Sequence, residues 1–521
     1  MDDRRDERNA YLIAMPAILL GLVLKIIPLL DAIKLPFMDF SLSAGTEGSP
    51  YVGFHNFARL FSTYYYRRLV SNTLILKLGS ISLSALMAFL LGLSLSYIKQ
   101  RKIRDIFIIF FTIPFFIPSS VFSYLMFKAF STRWFVQSDK FRIVYMIVET
   151  LKKAGVFSII IYSFIEYRDI SKNSKLVIAI KGISIFLLVQ LSSILTLDFE
   201  TLSELINPLV YNVADTVDTY MYRIGIFEGD INQVTPIWFM KFIVQFPITV
   251  GIYYAMKNIY IQEYLDRYEH VQTCEESKES FYSKSLSMLM SLIYIAILCV
   301  PFVMIFMGIK GEPATLTVNE NIINMDIIST GTRYLSLVFI AVLFNSILTL
   351  LLSYPLTMSY SVGQITYEMF LLILLVAGQG GVHEFMYYKR LGIEETIYPY
   401  MLNGLFSISH VIILAGIYNS KYSFSGIGRY LARQYKYIIA FAGFQFVKMW
   451  NSYYIGHDIY TKTGTIYSPI ATFKSMIIEY VGQYSISVMK LGMIISIPPL
   501  VVGMLLCIFA DRRVFIGRIR D

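Results

Sequence analysis

Side chains able to do chemistry stand in two settings here: inside long apolar runs, and in one polar, aromatic-rich loop. Within the runs lie Gln190, Gln245, Gln379, Asn403, His410, Gln445 and Lys448. Asn403 and His410 are seven residues apart, two helical turns, so they share a face. Polar groups in such runs are costly and face a cavity or a partner helix. Two chemistries fit them. One is hydrogen bonding between helices, worth about 1 kcal/mol each. The other is a path for a polar solute, which needs amide and hydroxyl partners plus aromatic faces. Phe446, Trp450, Tyr453 and Tyr454, with Asn451 among them, supply such faces near one end; an interfacial aromatic belt would use the same residues. The loop is SELINPLVYNVADTVDTYMYRIG, residues 203–225. Its Asp215 and Asp218 are spaced to share a helix face and read as a solvated or capping pair, not a catalytic one. There is no G-x-x-x-x-G-K-[ST] run for ATP. His55, His270, His383, His410 and His457 lack metal-ligand spacing, and Cys274, Cys299 and Cys507 form no disulfide or metal pattern. No metal and no cofactor are expected.

Composition identifies what must position these groups. The chain has 521 residues, 56% hydrophobic and only 16% charged. Apolar runs of about 18 residues or more, enough to cross roughly 30 Å of hydrocarbon, recur along it. The expected fold is all-α and polytopic, with about twelve transmembrane helices. Six spans fall near 11–30, 74–98, 105–127, 145–166, 175–196 and 236–257, and six near 286–308, 333–357, 366–383, 398–417, 434–451 and 486–510. The first run has no small-residue cleavage site and reads as an uncleaved helix. Between the sets lies a mixed-charge linker, 257–284. The expected domains are therefore 1–256, a linker 257–284 and 285–521.

The net charge of +9 fits basic loops on the cytoplasmic face of a plasma membrane better than nucleic-acid binding. The clusters 99–104, 168–175, 257–284, 421–436 and 512–520 then share the cytoplasmic side with both termini. The loops 31–70, 198–235, 309–330, 384–397 and 452–485 lie outside. An even count per half makes the halves parallel, unlike the inverted repeats of many secondary transporters. Asn72 in SNTLIL and Asn345 in FNSILTL begin the second span of each half, a pattern favouring tandem duplication.

Several segments match one family in order. The first external stretch carries Pro16, Pro28, Phe40, Pro50, Val52, Gly53, Phe57 and Phe61, and IPFFIPSSVFSYLMF follows. The most specific run holds Asn207, Pro208, Tyr211, Asp215, Asp218, Thr219, Tyr220, Tyr222, Arg223 and Gly225. Later come NSILTLLLSYPLTMS, GQGGVHEFMYYKRLGIEETIYPYML, WNSYY and YSP. The chain resembles the permease subunits of binding-protein-dependent, type I ABC importers of sugars and oligosaccharides, two subunits fused in tandem. The resemblance implies six-helix permease bundles, a separate ATPase subunit and an extracellular solute-binding protein. It also implies that Asn207, Tyr211, Asp215, Asp218, Tyr220 and Arg223 meet the binding protein. The dense aromatic pattern of the loop, which a solvated loop would not need, predicts a compact external element partly packed on the bundle, with Tyr211, Tyr220 and Tyr222 supplying its apolar contacts.

One departure stands against the family pattern. Its cytoplasmic loop with a Glu-Ala-Ala signature, which docks on the ATPase, is replaced by FIEYRDISKNSKLVIAIKGIS (164–184) and YNSKYSFSGIGRYLARQYKYI (418–438). These are shorter and basic, with Arg168, Lys172, Lys175, Lys421, Arg429 and Arg433. Lys448 stands where the family has a small residue. A permease-derived scaffold or sensor partner that has lost ATPase coupling is the alternative to an importer.

Overall fold

A computed structural model of the chain describes residues 2–41, 44–130, 132–166, 175–257, 281–309, 320–358, 363–377, 381–393, 396, 398–418, 427–452, 469–471, 473–474, 486–512 and 514–515. The fold is all-α. Among the described residues the β contact is one isolated antiparallel bridge between Met38 and Tyr51. Five segments there are long and apolar enough to cross a membrane: Arg8–Phe37, Tyr64–Tyr97, Ile231–Met256, Gly331–Thr357 and Leu491–Phe509. A bent helix pair counted as one span makes six. The protein is a polytopic membrane protein.

The helices of the first half are α1 (Asp2–Gly21), α2 (Ile27–Lys34), α3 (Tyr64–Tyr97), α4 (Arg101–Phe116), α5 (Ser119–Ala129), α6 (Ser138–Glu166), α7 (Lys175–Leu191), α8 (Phe199–Leu205), α9 (Val217–Tyr222) and α10 (Ile231–Met256). The second half contributes α11 (Phe281–Ile309), α12 (Glu320–Ser353), α13 (Gln364–Ala377), α14 (Gly381–Arg390), α15 (Tyr398–Asn403), α16 (Ile408–Tyr418), α17 (Ile427–Asn451) and α18 (Ile486–Phe509). The linker begins where α10 ends, and Phe281–Lys284 belong to α11; 258–280 lie outside the described residues.

Three expected spans are not straight helices, for identifiable reasons. Pro118 holds Ile117 in extended backbone (ψ 134°), as a residue before proline must be. The span expected at 105–127 therefore splits into α4 and α5, bent by 95°. The span expected at 398–417 divides into α15 and α16 across 404–407. In the first span, Leu22–Ile26 forms a π-turn between α1 and α2. Pro28 has no N–H to return to the carbonyl of Leu24, and the widened turn points Lys25 into the protein.

Packing crosses the midpoint of the sequence. Ala17 and Leu24 of the first span are buried with Leu348, Leu352, Tyr367, Leu371 and Val411 of the second half. Conversely, Phe444, Leu491, Ile495 and Leu506 join the main core around Phe111, Val148 and Phe157. Close helix approach depends on small residues, as is usual in membranes. A Cβ on Gly155 of α6 would sit 1.7 Å from the carbonyl oxygen of Phe111 on α4.

Candidate functional site

The 203–225 loop folds as a compact element built from short helices. Asn207 accepts from the Leu209 N–H (3.1 Å) and donates to the Phe135 carbonyl (3.0 Å). Thr216 and Thr219 form a reciprocal cap at the start of α9. Asp215 is not the solvated carboxylate that the spacing suggested: it is 1% exposed. Its Oδ2 accepts from Tyr65 Oη (2.6 Å) and Arg223 (2.5 Å), and its Oδ1 accepts from Thr219 Oγ1 (2.7 Å). Burial works against the Arg223 charge, but Asp215 outweighs it and raises the guanidinium pKa above its ordinary value. The same guanidinium lies over Tyr211 at 4.5 Å and Tyr220 at 5.5 Å. Tyr220 also packs on Tyr65 and donates to Gln233 (2.8 Å). Tyr222 packs between Phe199 and Phe227. Asp218 pairs with Lys241 of α10 at 2.5 Å. Asn72 of α3 donates to the Asp215 carbonyl (3.0 Å) and accepts from Arg142 (2.7 Å). The loop's polar groups thus hold it onto α3, α6 and α10, while Leu209 and Phe227 remain exposed.

Below the loop, a polar network runs through the first half. Lys77 of α3 donates to Gln190 (3.1 Å) and Ser193 (3.5 Å). Lys152 of α6 donates to Ser119 and Thr201. Lys153 bridges Glu149 and Asp198, each at 3.2 Å. Gln245 accepts from Thr196 at 3.2 Å. Burial disfavours the ionised Asp198, but Lys153, Lys152 and the Thr201 N–H overcome it and hold the carboxyl well below the usual range. Ionisable groups at such depth mark solute or ion paths by default. In this arrangement the lysines bond to neighbouring oxygens of the network, while Glu149 Oε2 is buried without a hydrogen-bond partner, so a solute would have to exchange with these bonds. Glu149, Lys152 and Lys153 crowd the start of the span expected at 145–166, and the signal for the network lies in their being buriable there solely as a paired set. Lys77 and Lys241 were not among the candidate residues of the sequence.

In the second half Gln445, with Asn345, holds the break between α15 and α16. Gln445 donates to the Gly404 carbonyl (2.7 Å) and accepts from Ser407 (2.8 Å). Asn345 donates to the carbonyls of Gly404 and Leu405. Asn72 and Asn345 therefore do the same work in each half, bonding irregular backbone. His410 is fully buried and stacks on Phe441 at 4.5 Å. Trp450 donates to the Ile495 carbonyl (3.0 Å), and Asn451 to that of Phe116 (3.1 Å). Asn403 ends α15; Gln379, Tyr453 and Tyr454 lie outside the described residues. Of the basic loop residues, Lys175 donates to the Ser96 carbonyl (3.2 Å) and covers the Tyr97 ring. Arg429 and Arg433 are exposed on α17. Arg168, Lys172 and Lys421 lie outside the described residues.

The halves also meet through charge. Lys25 and Glu384 form a buried ion pair at 2.6 Å, and Lys257 pairs with buried Glu368 at 2.5 Å. A cavity of about 490 Å³ opens between the segment after α2 and α14, lined by Asp31, Phe40, Glu47, Tyr387, Lys389 and Arg390 among others. That volume is within the range of small-molecule sites. Among the described residues, no group of three or more His, Cys, Asp or Glu is placed to hold a metal ion.

No family model matches the chain. Protein LplB of Bacillus subtilis (strain 168) is 25% identical over 285 residues, 48% of this chain and 88% of that protein. The polygalacturonan/rhamnogalacturonan transport system permease protein YteP of the same organism is 24% identical over 268 residues, 45% of this chain and 83% of YteP. Among solved structures, a bacterial ABC transporter involved in the import of the acidic polysaccharide alginate aligns at 22% identity, over 50% of this chain and 98% of that one, with a TM-score of 0.43. The bacterial alginate transporter in complex with an alginate pentasaccharide-bound periplasmic protein aligns with the same identity and TM-score, over 50% and 96%.

Proposed function

We propose that this chain is the membrane-spanning permease component of a binding-protein-dependent ABC importer for sugars or oligosaccharides, in the plasma membrane. One observation carries the reading: nearly the whole of YteP, a transport system permease, aligns with about half of this chain. A polytopic all-α fold with buried polar networks supports it. ATP hydrolysis and solute capture fall to separate chains, and this chain performs no catalysis. Because the alignment leaves half the length over, we assign residues 1–256 and 285–521 to two permease units of six spans each, joined by the 257–284 linker, with both termini inside the cell. The solute passes between helices bearing Gln379, Asn403, His410, Gln445, Trp450 and Asn451, and the 203–225 loop faces the binding protein.

The decisive experiment is co-purification with each candidate ATPase, then ATP hydrolysis in lipid with and without the binding protein, together with uptake of a labelled oligosaccharide. Hydrolysis stimulated by loaded binding protein, with uptake, supports the importer. One observation in the sequence favours a second reading: FIEYRDISKNSKLVIAIKGIS (164–184) and YNSKYSFSGIGRYLARQYKYI (418–438) both lack Glu-Ala-Ala. Residues 167–174 and 419–426 within them lie outside the described residues. Failure to form a complex with any ATPase would favour a permease-derived scaffold.

A further inference from the structure

The end of the chain ties together the two places where an ATPase would push. After α18, Arg512 reaches back into the first half. It donates to Glu166, the last described residue of α6, and to Asp105, the fifth residue of α4, at 3.3 Å. Arg104 approaches the other Glu166 oxygen at 3.6 Å. Tyr162, buried one turn before Glu166, has the Arg512 guanidinium at 4.8 Å and that of Arg104 at 5.2 Å from its ring centre. The neighbouring residues grip the second half. Asp511 accepts from Tyr437 of α17 (3.3 Å), Phe515 packs edge-on against Phe444 of α17, and Val514 and Phe515 are fully buried. α6 runs directly into 167–174, and α17 emerges directly from 419–426.

We propose that residues 510–512 and 514–515 form a strap that makes the cytoplasmic ends of α6 and α17 move as one body, with Arg512 as its positioning residue. The cluster has the composition for this. Two arginines face two carboxylates around one aromatic ring, and an arginine fork bonds two acceptors in fixed directions, which a point charge does not. A charged cluster is a costly way simply to anchor this segment, since buried Val514 and Phe515 already do so. It is suited to holding two helices at a set angle. A rigid link between α6 and α17 lets a push at the end of one helix displace both halves. This coupling role rests on the importer reading; the mechanical link does not.

The test uses the full chain in lipid, with Cys274, Cys299 and Cys507 replaced and spin labels at Leu176→Cys and Arg429→Cys, beside the two loops. Pulsed distance measurement should give one narrow distribution for this background. Arg512→Ala and Glu166→Gln should each broaden it, the double variant should be no broader than either single one, and Arg512→Lys should fall between. An unbroadened distribution in Arg512→Ala, or additive broadening in the double variant, overturns the strap. Should Arg512→Ala not fold, Glu166→Gln and Arg512→Lys carry the same comparison. With a partner ATPase bound, Arg512→Ala should lose stimulation by loaded binding protein while keeping the complex and its basal hydrolysis. Unchanged stimulation refutes the coupling role. If no ATPase binds even the unaltered chain, the importer reading fails, and the distance measurement still decides the strap.

Discussion

Removing the Asp215 carboxylate should unfold the loop from the bundle, at a cost that can be worked out. Three donors converge on Asp215: Tyr65, Thr219 and Arg223, all within 2.7 Å. Hydrogen bonds to charged groups contribute about 1.5–3 kcal/mol each, and they are not additive when shared. Breaking a fully buried ion pair costs about 3–5 kcal/mol. The Arg223 side chain is 28% exposed, so water recovers part of that loss. Asp215→Asn keeps the shape and one carbonyl acceptor but presents an NH₂ to donors, and should cost about 2–3 kcal/mol. Asp215→Ala should cost about 3–4 kcal/mol. A double-mutant cycle with Arg223→Gln should return about 1.5–2.5 kcal/mol of coupling. At about 2–4 °C per kcal/mol for a chain of a few hundred residues, Asp215→Asn should melt about 4–12 °C lower in a thermal-shift assay in detergent. Asn212→Ala is the control: its partner Arg68 lies in an exposed hydrogen bond, worth less than about 1 kcal/mol. If Asp215→Asn melts with wild type, or coupling to Arg223 is near zero, Asp215 does not organise the loop.

Three further outcomes follow from the packing. Gly155→Ala should cost more than the roughly 1–3 kcal/mol of ordinary overpacking, because the new methyl meets the Phe111 backbone oxygen, which cannot rotate away; Gly251→Ala, with open space around it, should melt like wild type. Asp198 is held below its ordinary pKa, so its stabilisation is fully present above the unfolded value of about 3.9 and is lost as pH falls toward the folded one. Asp198→Asn should therefore melt lower than wild type at pH 7, and the gap should narrow on acidification below about pH 4. Exposed Leu209, not the bonded Arg223, is the sharper probe of binding-protein docking: Leu209→Glu should weaken affinity for the binding protein without changing the melting temperature, and unchanged affinity would move the docking surface elsewhere.

The fold class was legible because hydrocarbon imposes it: long apolar runs have few folded options besides helices. Of the twelve expected spans, five, or six with the bent α4–α5 pair counted as one, are matched among the described residues by segments long and apolar enough to cross a membrane. Bends were legible only in hindsight, since Pro118 breaks its span whereas Pro16, Pro236 and Pro247 sit inside helices. Proline removes one donor everywhere, but whether a helix survives depends on neighbours that re-satisfy the freed carbonyl. Asn345 and Gln445 show the same dependence from the other side: their amides belong to a helix break, and nothing in their local sequence says so. The 203–225 loop was legible as a packed aromatic element. Asp215 as its centre was not, because two of its donors are close in sequence and the third, Tyr65, is 150 residues away.

Charge placement separates contacts within one half from contacts between the halves. A lysine inside a membrane bundle must find a partner, so Lys25, Lys77, Lys152, Lys153 and Lys241 each predict a contact, though not which one. The partners found are of two kinds. Lys153 and Lys241 close within the first half, on Asp198 and Asp218. Lys25 closes across to the second half on Glu384, as does Lys257 on Glu368. A polytopic protein that only needed stability could replace such buried pairs with apolar residues at little loss or some gain. Cross-half pairs have a property that apolar contacts lack: they discriminate strongly between aligned and misaligned positions, because a separated buried charge is expensive. They therefore suit two bodies that must alternate between defined arrangements. On this argument Glu384→Gln and Glu368→Gln should change the balance between arrangements more than they change melting. Spin labels placed across the two halves would register that as a new distance population, whereas a lowered melting temperature with an unchanged distance distribution would make both pairs simple fasteners.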